Sequence, residues 1–100
     1  QSTDSMLNLI TLEGTLSERE EVRYTPAGLE VFEGLIHYEG QQVQAGVARQ
    51  LDCDMPIVAF GEMAHQLNAK ALGVPLKIQG FLAPRSRRSR RLVIHVTEYI

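Results

Sequence analysis

Five runs of the chain alternate apolar and polar residues with a period of two, a pattern typical of strands that bury one face. The runs are Leu7–Leu16, Leu29–Tyr38, Ala48–Phe60, Val74–Leu82 and Leu92–Ile100. Between the third and fourth runs, Glu62–Leu72 has apolar residues at helical spacing and is followed by Gly73, a residue favoured just after a helix end. This order of elements predicts an all-β fold class with one short helix: the five-stranded Greek-key barrel known as the OB-fold.

Glycine and proline mark the irregular points of this predicted barrel. Gly14 lies inside the first strand, which favours a bulge or a sharp coil there. Pro56 removes a backbone donor from the third strand, so we expect a bulge, a sheet edge or a break. Tyr24–Gly28 contains a Pro-Ala-Gly turn that joins the first two strands. Glu39–Gly46 is rich in Gln and Gly and predicts a mobile hairpin tip.

Several side chains can be assigned to the core or to the surface. Phe32 and Phe60 are predicted to be core residues. Cys53 is predicted to face inward as an inert buried thiol. Phe81 lies opposite the core parity of its strand, which leaves it as either a stacking platform or a dimer contact.

The basic residues are concentrated in one segment. Arg85–Arg91 holds five of the ten lysines and arginines in a chain whose net charge is −2. A charge run of this density is expected to form a mobile, solvated loop. In an OB-fold, however, the loops between strands one and two and between strands four and five flank the nucleic-acid-binding face, and this segment is the second of those loops. A solubilising loop and a pocket for an acidic partner protein remain the alternative interpretations.

Nucleic-acid binding through this face requires cations for phosphates and aromatic rings for bases. The chain has only six aromatic residues and no Trp, so the sequence predicts binding carried mainly by charge, with strong salt sensitivity. The candidate contact residues are Arg23, Tyr24, Tyr38, Arg49, Lys77, Arg85, Arg87, Arg88, Arg90 and Arg91.

Catalytic and metal-dependent classes find little support in the sequence. His37, His65 and His95 are scattered and have no metal-ligand spacing, and no phosphate-cradling glycine loop is present. Cys53 is the only cysteine, which excludes an internal disulfide and fits a reducing compartment. We therefore expect no enzyme activity, no cofactor and no metal.

The N-terminal residues and the lengths of the apolar runs bear on where the protein is expected to act. Residues 1–6 are expected to be a disordered tail or an expression remnant, and residues 7–100 to be the OB-fold domain. No run approaches the roughly 18 apolar residues of a membrane span, and residues 1–5 lack the features of a signal peptide. A cytoplasmic protein is the default expectation.

Several segments together resemble the bacterial single-stranded DNA-binding proteins: Leu9–Leu16, Arg23–Gly28, Ala59–Ala64 and Ile78–Leu82. Gln50–Pro56 and the following Gly61 resemble more closely the primosomal members of that family. This resemblance implies an OB-fold homodimer that binds single-stranded DNA, stimulates the PriA helicase and bridges to DnaT in the replication-restart primosome, without being an enzyme.

The same resemblance places the basic contacts on Arg23, Arg49 and the loop Arg85–Arg91. Asp52 and Val47 stand where enterobacterial relatives have aromatic residues, and an aspartate there repels phosphate locally. Two alternatives therefore stay open. The domain could be a protein-interaction adaptor with weak DNA binding, or a short general single-stranded DNA-binding protein.

Overall fold

The computed structural model describes residues 6–100; the expectation of a tail falls largely on residues 1–5, which lie outside the described residues. Within residues 6–100, one helix, α1 (Glu62–Asn68), interrupts a series of six strands. The strands are β1 (Ile10–Arg19), β2 (Arg23–Tyr24), β3 (Glu30–Gln44), β4 (Val47–Phe60), β5 (Pro75–Pro84) and β6 (Leu92–Tyr99). The helix of the described chain has seven residues, too few to cross a membrane.

The barrel closes because β1 pairs with two different strands. Its first half, Ile10–Thr15, pairs antiparallel with β5, and its second half, Thr15–Arg19, pairs antiparallel with β3. The circuit continues from β5 to β6, from β6 to β4 through a short parallel contact, and from β4 to β3. The two-residue β2 extends the edge of β3. This closed five-stranded barrel confirms the OB-fold class.

The barrel interior is filled by side chains that strand parity directs inward. Leu16, Phe32, Ile36 and Ile78 are completely buried there, together with Leu67 of α1. A separate small cluster on other strand faces consists of Val31, Val58 and Val93. The core assignment of Phe32 is confirmed, and the second cluster adds apolar packing outside the main core.

Gly14 lies where β1 leaves β5 and reaches β3. A Cβ at this position would collide with the backbone oxygen of His37, so only glycine permits this close approach. The register shift itself comes slightly later, between Leu16 and Glu18. The expected coil is therefore at Gly14, while the bulge is displaced toward the strand end. Because β1 continues to pair with β3 after this shift, it runs to Arg19 instead of ending at Leu16.

The β3–β4 hairpin is much longer than the sequence pattern predicts. The ladder continues without a break to the pair Gln44 and Val47, and the turn consists only of Ala45 and Gly46, both at positive φ. Glu39–Gly46, predicted to be a mobile hairpin tip, does contain the hairpin turn, but residues 39–44 belong to strand β3. Low hydrophobicity hid the strand because neither face of this distal hairpin packs against the barrel.

Two other expectations on β4 are decided by the same geometry. Cys53 is exposed, because the strand has already passed beyond the barrel where parity would bury it. Pro56 interrupts nothing: it stays in register with Leu35. Since β6 pairs with β4 only at Ile57 and Val58, Pro56 lies beside a free strand edge, the location that tolerates proline.

Helix α1 ends at Asn68, four residues before the predicted end. The N–H groups of Ala69 and Lys70 bond to carbonyls within the last turn, and Gly73 has φ of 86°. The Gly73 N–H then donates to the Leu16 carbonyl at 2.7 Å. The chain therefore leaves the helix and pairs with β1 before the helical spacing of its apolar residues ends.

Because β5 and β6 approach each other closely at Gly80, a single added methyl group there is expected to reduce stability. In Gly80→Ala, the added Cβ would collide with the backbone oxygen of His95, which no side-chain rotation can relieve. We expect the free energy of unfolding to fall by about 1–3 kcal/mol. Denaturant unfolding measures this loss. The exposed Thr11→Ala on β1 is the control, and an equal loss in both variants would contradict the account.

Candidate nucleic-acid interface

A surface groove of about 460 Å³ lies where the β2 turn, the end of β4 and the arginine loop meet. It brings together predicted residues that are far apart in sequence: Arg23 and Tyr24 on one wall, and Arg85 on another. Its remaining walls come from Thr25, Pro26, Val31, Glu33, Phe60, Ser86 and Ser89. The loop and the first hairpin, which the OB-fold order placed on one face, therefore form one surface.

Glu33 on β3 is the ionic centre of this groove. Arg85 binds it through two bonds, from Nε to Oε2 at 2.8 Å and from a terminal nitrogen to Oε1 at 2.6 Å. Arg23 approaches the same carboxylate at 2.9 Å. The Glu33 side chain is 13% exposed, whereas those of the two arginines are about half exposed. One nearly buried carboxylate thus fixes two candidate phosphate ligands.

These contacts shift the ionisation of the groups that make them. Hydrogen bonds from Arg85 lower the pKa of Glu33; partial burial opposes this shift, and Arg23 adds to it. In return, Glu33 raises the pKa of Arg85. Both groups are therefore held in their charged forms.

The arginine loop is closed on itself. The Arg85 N–H donates to the Arg91 carbonyl at 3.2 Å, and the Ser89 hydroxyl accepts from the Arg91 N–H at 3.0 Å. Arg85 and Arg91 also line a neighbouring cavity with Val58 and Val93. Within residues 6–100, the exposed Arg87, Arg88 and Arg90 form no ion pair. The loop thus combines an anchored base with a free cationic tip.

Three stacked rings, those of Phe60, His95 and Phe81, adjoin the groove, and Phe60 is not where the sequence predicted it. Phe60 is 42% exposed, so its assignment to the core is wrong. It stacks on His95 at 6.3 Å between ring centroids, and His95 stacks on Phe81 at 5.0 Å. Strand parity carried the signal, because Ile57 and Ala59 face the main core and the residue after them must face outward.

Three predicted contact residues lie elsewhere. Tyr38 and Lys77 line a different cavity, between β1, β3 and β5. The Tyr38 ring covers Gly40 and its hydroxyl accepts a bond from Gln42, so the ring is already used within the hairpin. Arg49 lies on the distal hairpin opposite Gln42. The structure therefore does not join these three residues to the groove.

A second polar cluster occupies one face of the β3–β4 hairpin. His37 lies opposite Asp54, and Glu39 lies opposite Asp52. The His37 ring contacts Asp54 at 2.8 Å through Nδ1 and Asp52 at 3.1 Å through Nε2. The sequence separation between the strands concealed this arrangement.

Comparison with known proteins agrees with the fold. Residues 8–98 match the model of a family described as another single-strand binding protein family. The replication restart protein PriB of Nitrosomonas europaea is 32% identical over 91 residues, which cover 91% of this chain and 84% of that protein. The chain belongs to the PriB family of single-strand-binding-like OB-fold proteins.

Other relatives place the chain in the same family. PriB of Bordetella pertussis is 34% identical, with 92% of this chain and 86% of that protein covered. A PriB structure from Ralstonia solanacearum superposes with a TM-score of 0.85 at 38% identity, covering 95% of this chain and 97% of that one. The single-stranded DNA-binding domain of a Synechococcus protein shares the fold, with a TM-score of 0.71 at 20% identity over 97% and 98% of the two chains.

The Glu33 cluster predicts a pH-dependent contribution to stability. Because the pKa of Glu33 is lowered in the folded state, its contribution is full above the ordinary value of 4.5 and disappears as pH falls through the lowered pKa. Thermal unfolding should show Glu33→Gln less stable than the parent at neutral pH, with the difference shrinking in acid. The exposed Glu98→Gln is the control. A Glu33→Gln difference that stays constant down to strongly acidic pH would contradict this role.

Proposed function

We propose that this chain binds single-stranded DNA in replication restart, and that the groove with the arginine loop is its contact surface. One observation carries the proposal: Arg85 and Arg23 share Glu33 in a groove whose walls also present Tyr24 and Phe60. Cations and exposed rings side by side suit a strand that offers phosphates and bases alternately.

The cationic part of this surface has two components. Arg23 and Arg85 are positioned by one carboxylate, so these three groups together carry a single positive charge. The loop adds Arg91 at its base, which lines the neighbouring cavity, and Arg87, Arg88 and Arg90 at its tip, where the described chain offers no acidic partner. Phosphates are therefore expected to bind chiefly at the tip, with the anchored pair setting the direction of the strand.

The stacking part consists of rings that solvent reaches. Tyr24 is 64% exposed and Phe60 is 42% exposed, and both border the groove. His95 supports Phe60 from behind and is itself held by a bond between Nε2 and the Pro84 carbonyl at 3.2 Å. A ring fixed in this way loses little conformational entropy when a base stacks on it.

Finer parts of the role are proposed from the family resemblance. The chain is similar to proteins named for replication restart, and we propose that it acts there as a cytoplasmic homodimer, stimulates the PriA helicase and bridges to DnaT. The OB-fold domain would be residues 7–100. Sedimentation tests the dimer, and a forked-DNA unwinding assay with PriA tests stimulation; a monomer or an unchanged unwinding rate would reject the respective part.

A protein-interaction adaptor is the second candidate function. The distal hairpin favours it, because Glu39, Asp52 and Asp54 present an acidic face that repels phosphate. An adaptor would bind oligonucleotide no tighter than millimolar even at low salt. A short general single-stranded DNA-binding protein would bind DNA but leave PriA-dependent unwinding unchanged.

The arginine tip predicts a change in salt dependence. Replacing Arg87, Arg88 and Arg90 together by Ala should weaken binding of a fluorescent oligothymidylate. It should also lower the slope of log affinity against log salt by up to about 2, because each lost phosphate contact removes about 0.7. Fluorescence anisotropy at several salt concentrations measures both quantities.

The matched control replaces the same three residues by Lys and keeps the charge. It should keep most of the slope, since counterion release depends on charge and not on the guanidinium shape. An Ala variant with the parental slope would rule out the tip as the phosphate contact.

Replacing the aromatic rings of the groove is expected to change the affinity without changing the salt dependence. Phe60→Leu and Tyr24→Leu should each reduce the binding free energy by about 1–3 kcal/mol while leaving the salt slope unchanged, because stacking involves no counterions. Leu72→Ala removes an exposed apolar side chain that does not line the groove and is the control. If both Leu variants bind like the parent, the groove does not hold bases.

A further inference from the structure

The polar face of the β3–β4 hairpin gathers one histidine and three carboxylates. His37 and Glu39 are two residues apart on β3 and therefore point to the same side. Asp54 and Asp52 lie directly opposite them on β4. One imidazole is thus surrounded by three carboxylates on a two-stranded ribbon.

The two nitrogens of His37 have different roles in this arrangement. Nδ1 lies 2.8 Å from Asp54 Oδ1, the geometry of an N–H donor to a carboxylate. Nε2 lies 3.1 Å from Asp52 and 3.8 Å from Glu39, so without a metal ion the protonated ring donates to carboxylates from both nitrogens, and a metal ion would take the place of the Nε2 proton. A carboxylate that fixes the far nitrogen of a histidine is the usual outer partner of a metal-binding imidazole.

We propose that His37 Nε2, Glu39 and Asp52 form a binding site for a divalent transition-metal ion of the zinc class. Their donor atoms lie within 4.8 Å of one another. Tetrahedral zinc with bonds of about 2.0–2.1 Å places its ligand atoms about 3.3 Å apart, and the two distances from Nε2 bracket that value. Water would complete the coordination, because the Glu39 and Asp52 side chains are more than half exposed.

The electrostatics of the hairpin favour a bound cation. Glu39 and Asp52 are like charges on directly opposed strand positions, an arrangement that destabilises a hairpin. In the described part of the chain, His37 is the only cationic partner of these carboxylates. Asp54 receives one further bond, from the Ser17 hydroxyl at 3.5 Å. A divalent ion would neutralise the opposed pair.

A proton is the competitor for the same nitrogen. The bond to Asp54 raises the pKa of His37, and the neighbouring carboxylates raise it further, while desolvation opposes them. The site lies outside the groove and needs no DNA, so it can be tested independently of the proposed function.

Isothermal titration with zinc chloride tests the site directly. The protein is the untagged full chain carrying Cys53→Ser, since the exposed thiol between the two aspartates would otherwise compete for zinc. We expect one zinc ion per chain. His37→Gln should weaken binding by at least tenfold, and Asp54→Asn by about 10–100-fold through loss of the orienting bond.

His65→Gln is the matched control, because His65 is another exposed histidine paired with a carboxylate, Glu30, at 3.0 Å. It should leave the zinc affinity unchanged. A second readout needs no ligand variant: cobalt(II) should perturb the NMR signals of the His37 ring and spare those of His65 and His95. Absence of zinc binding up to millimolar concentration, or equal affinity in the parent and His37→Gln, would overturn the proposal.

Discussion

The carboxylate of Glu33 joins the two halves of the candidate interface. It lies on the central strand β3, nearly buried, and binds Arg23 of β2 and Arg85 at the start of the loop. A buried acid without partners would be costly, so the arginines stabilise Glu33 as much as Glu33 positions them. This mutual dependence converts a charge run, which would repel itself in isolation, into a loop that packs beside Tyr24 and Phe60.

The positive and negative charges of the chain are concentrated in two different regions of the surface. The chain is acidic overall, yet its basic residues are concentrated at the arginine loop while three carboxylates are concentrated on the distal hairpin. A strand of DNA is attracted by the first region and repelled by the second. In the proposed binding mode the hairpin would therefore limit where the strand can run, and a metal ion bound at His37 would relax that limit.

Much of the fold could be predicted from the sequence, because alternation marks one buried face and Phe32 and Ile36 obey it. The Glu39–Gly46 part of the distal hairpin could not, since it shows no apolar alternation. Cys53 is misassigned because the alternation of β4 continues past the end of the barrel, where neither face is buried. Loop placement identified Arg23, Tyr24 and Arg85 as neighbours. Glu33 was not identified, because its partner Arg85 is 52 positions away. Phe60 was misassigned although parity pointed outward.

The most direct test of this interface is the NMR spectrum of the isotope-labelled chain during titration with oligothymidylate. We predict that chemical shifts change at Arg23, Tyr24, Phe60 and the loop Arg85–Arg91, while signals of the hairpin residues 47–52 keep their positions. Shifts concentrated on the hairpin, with the groove and loop unchanged, would contradict the account.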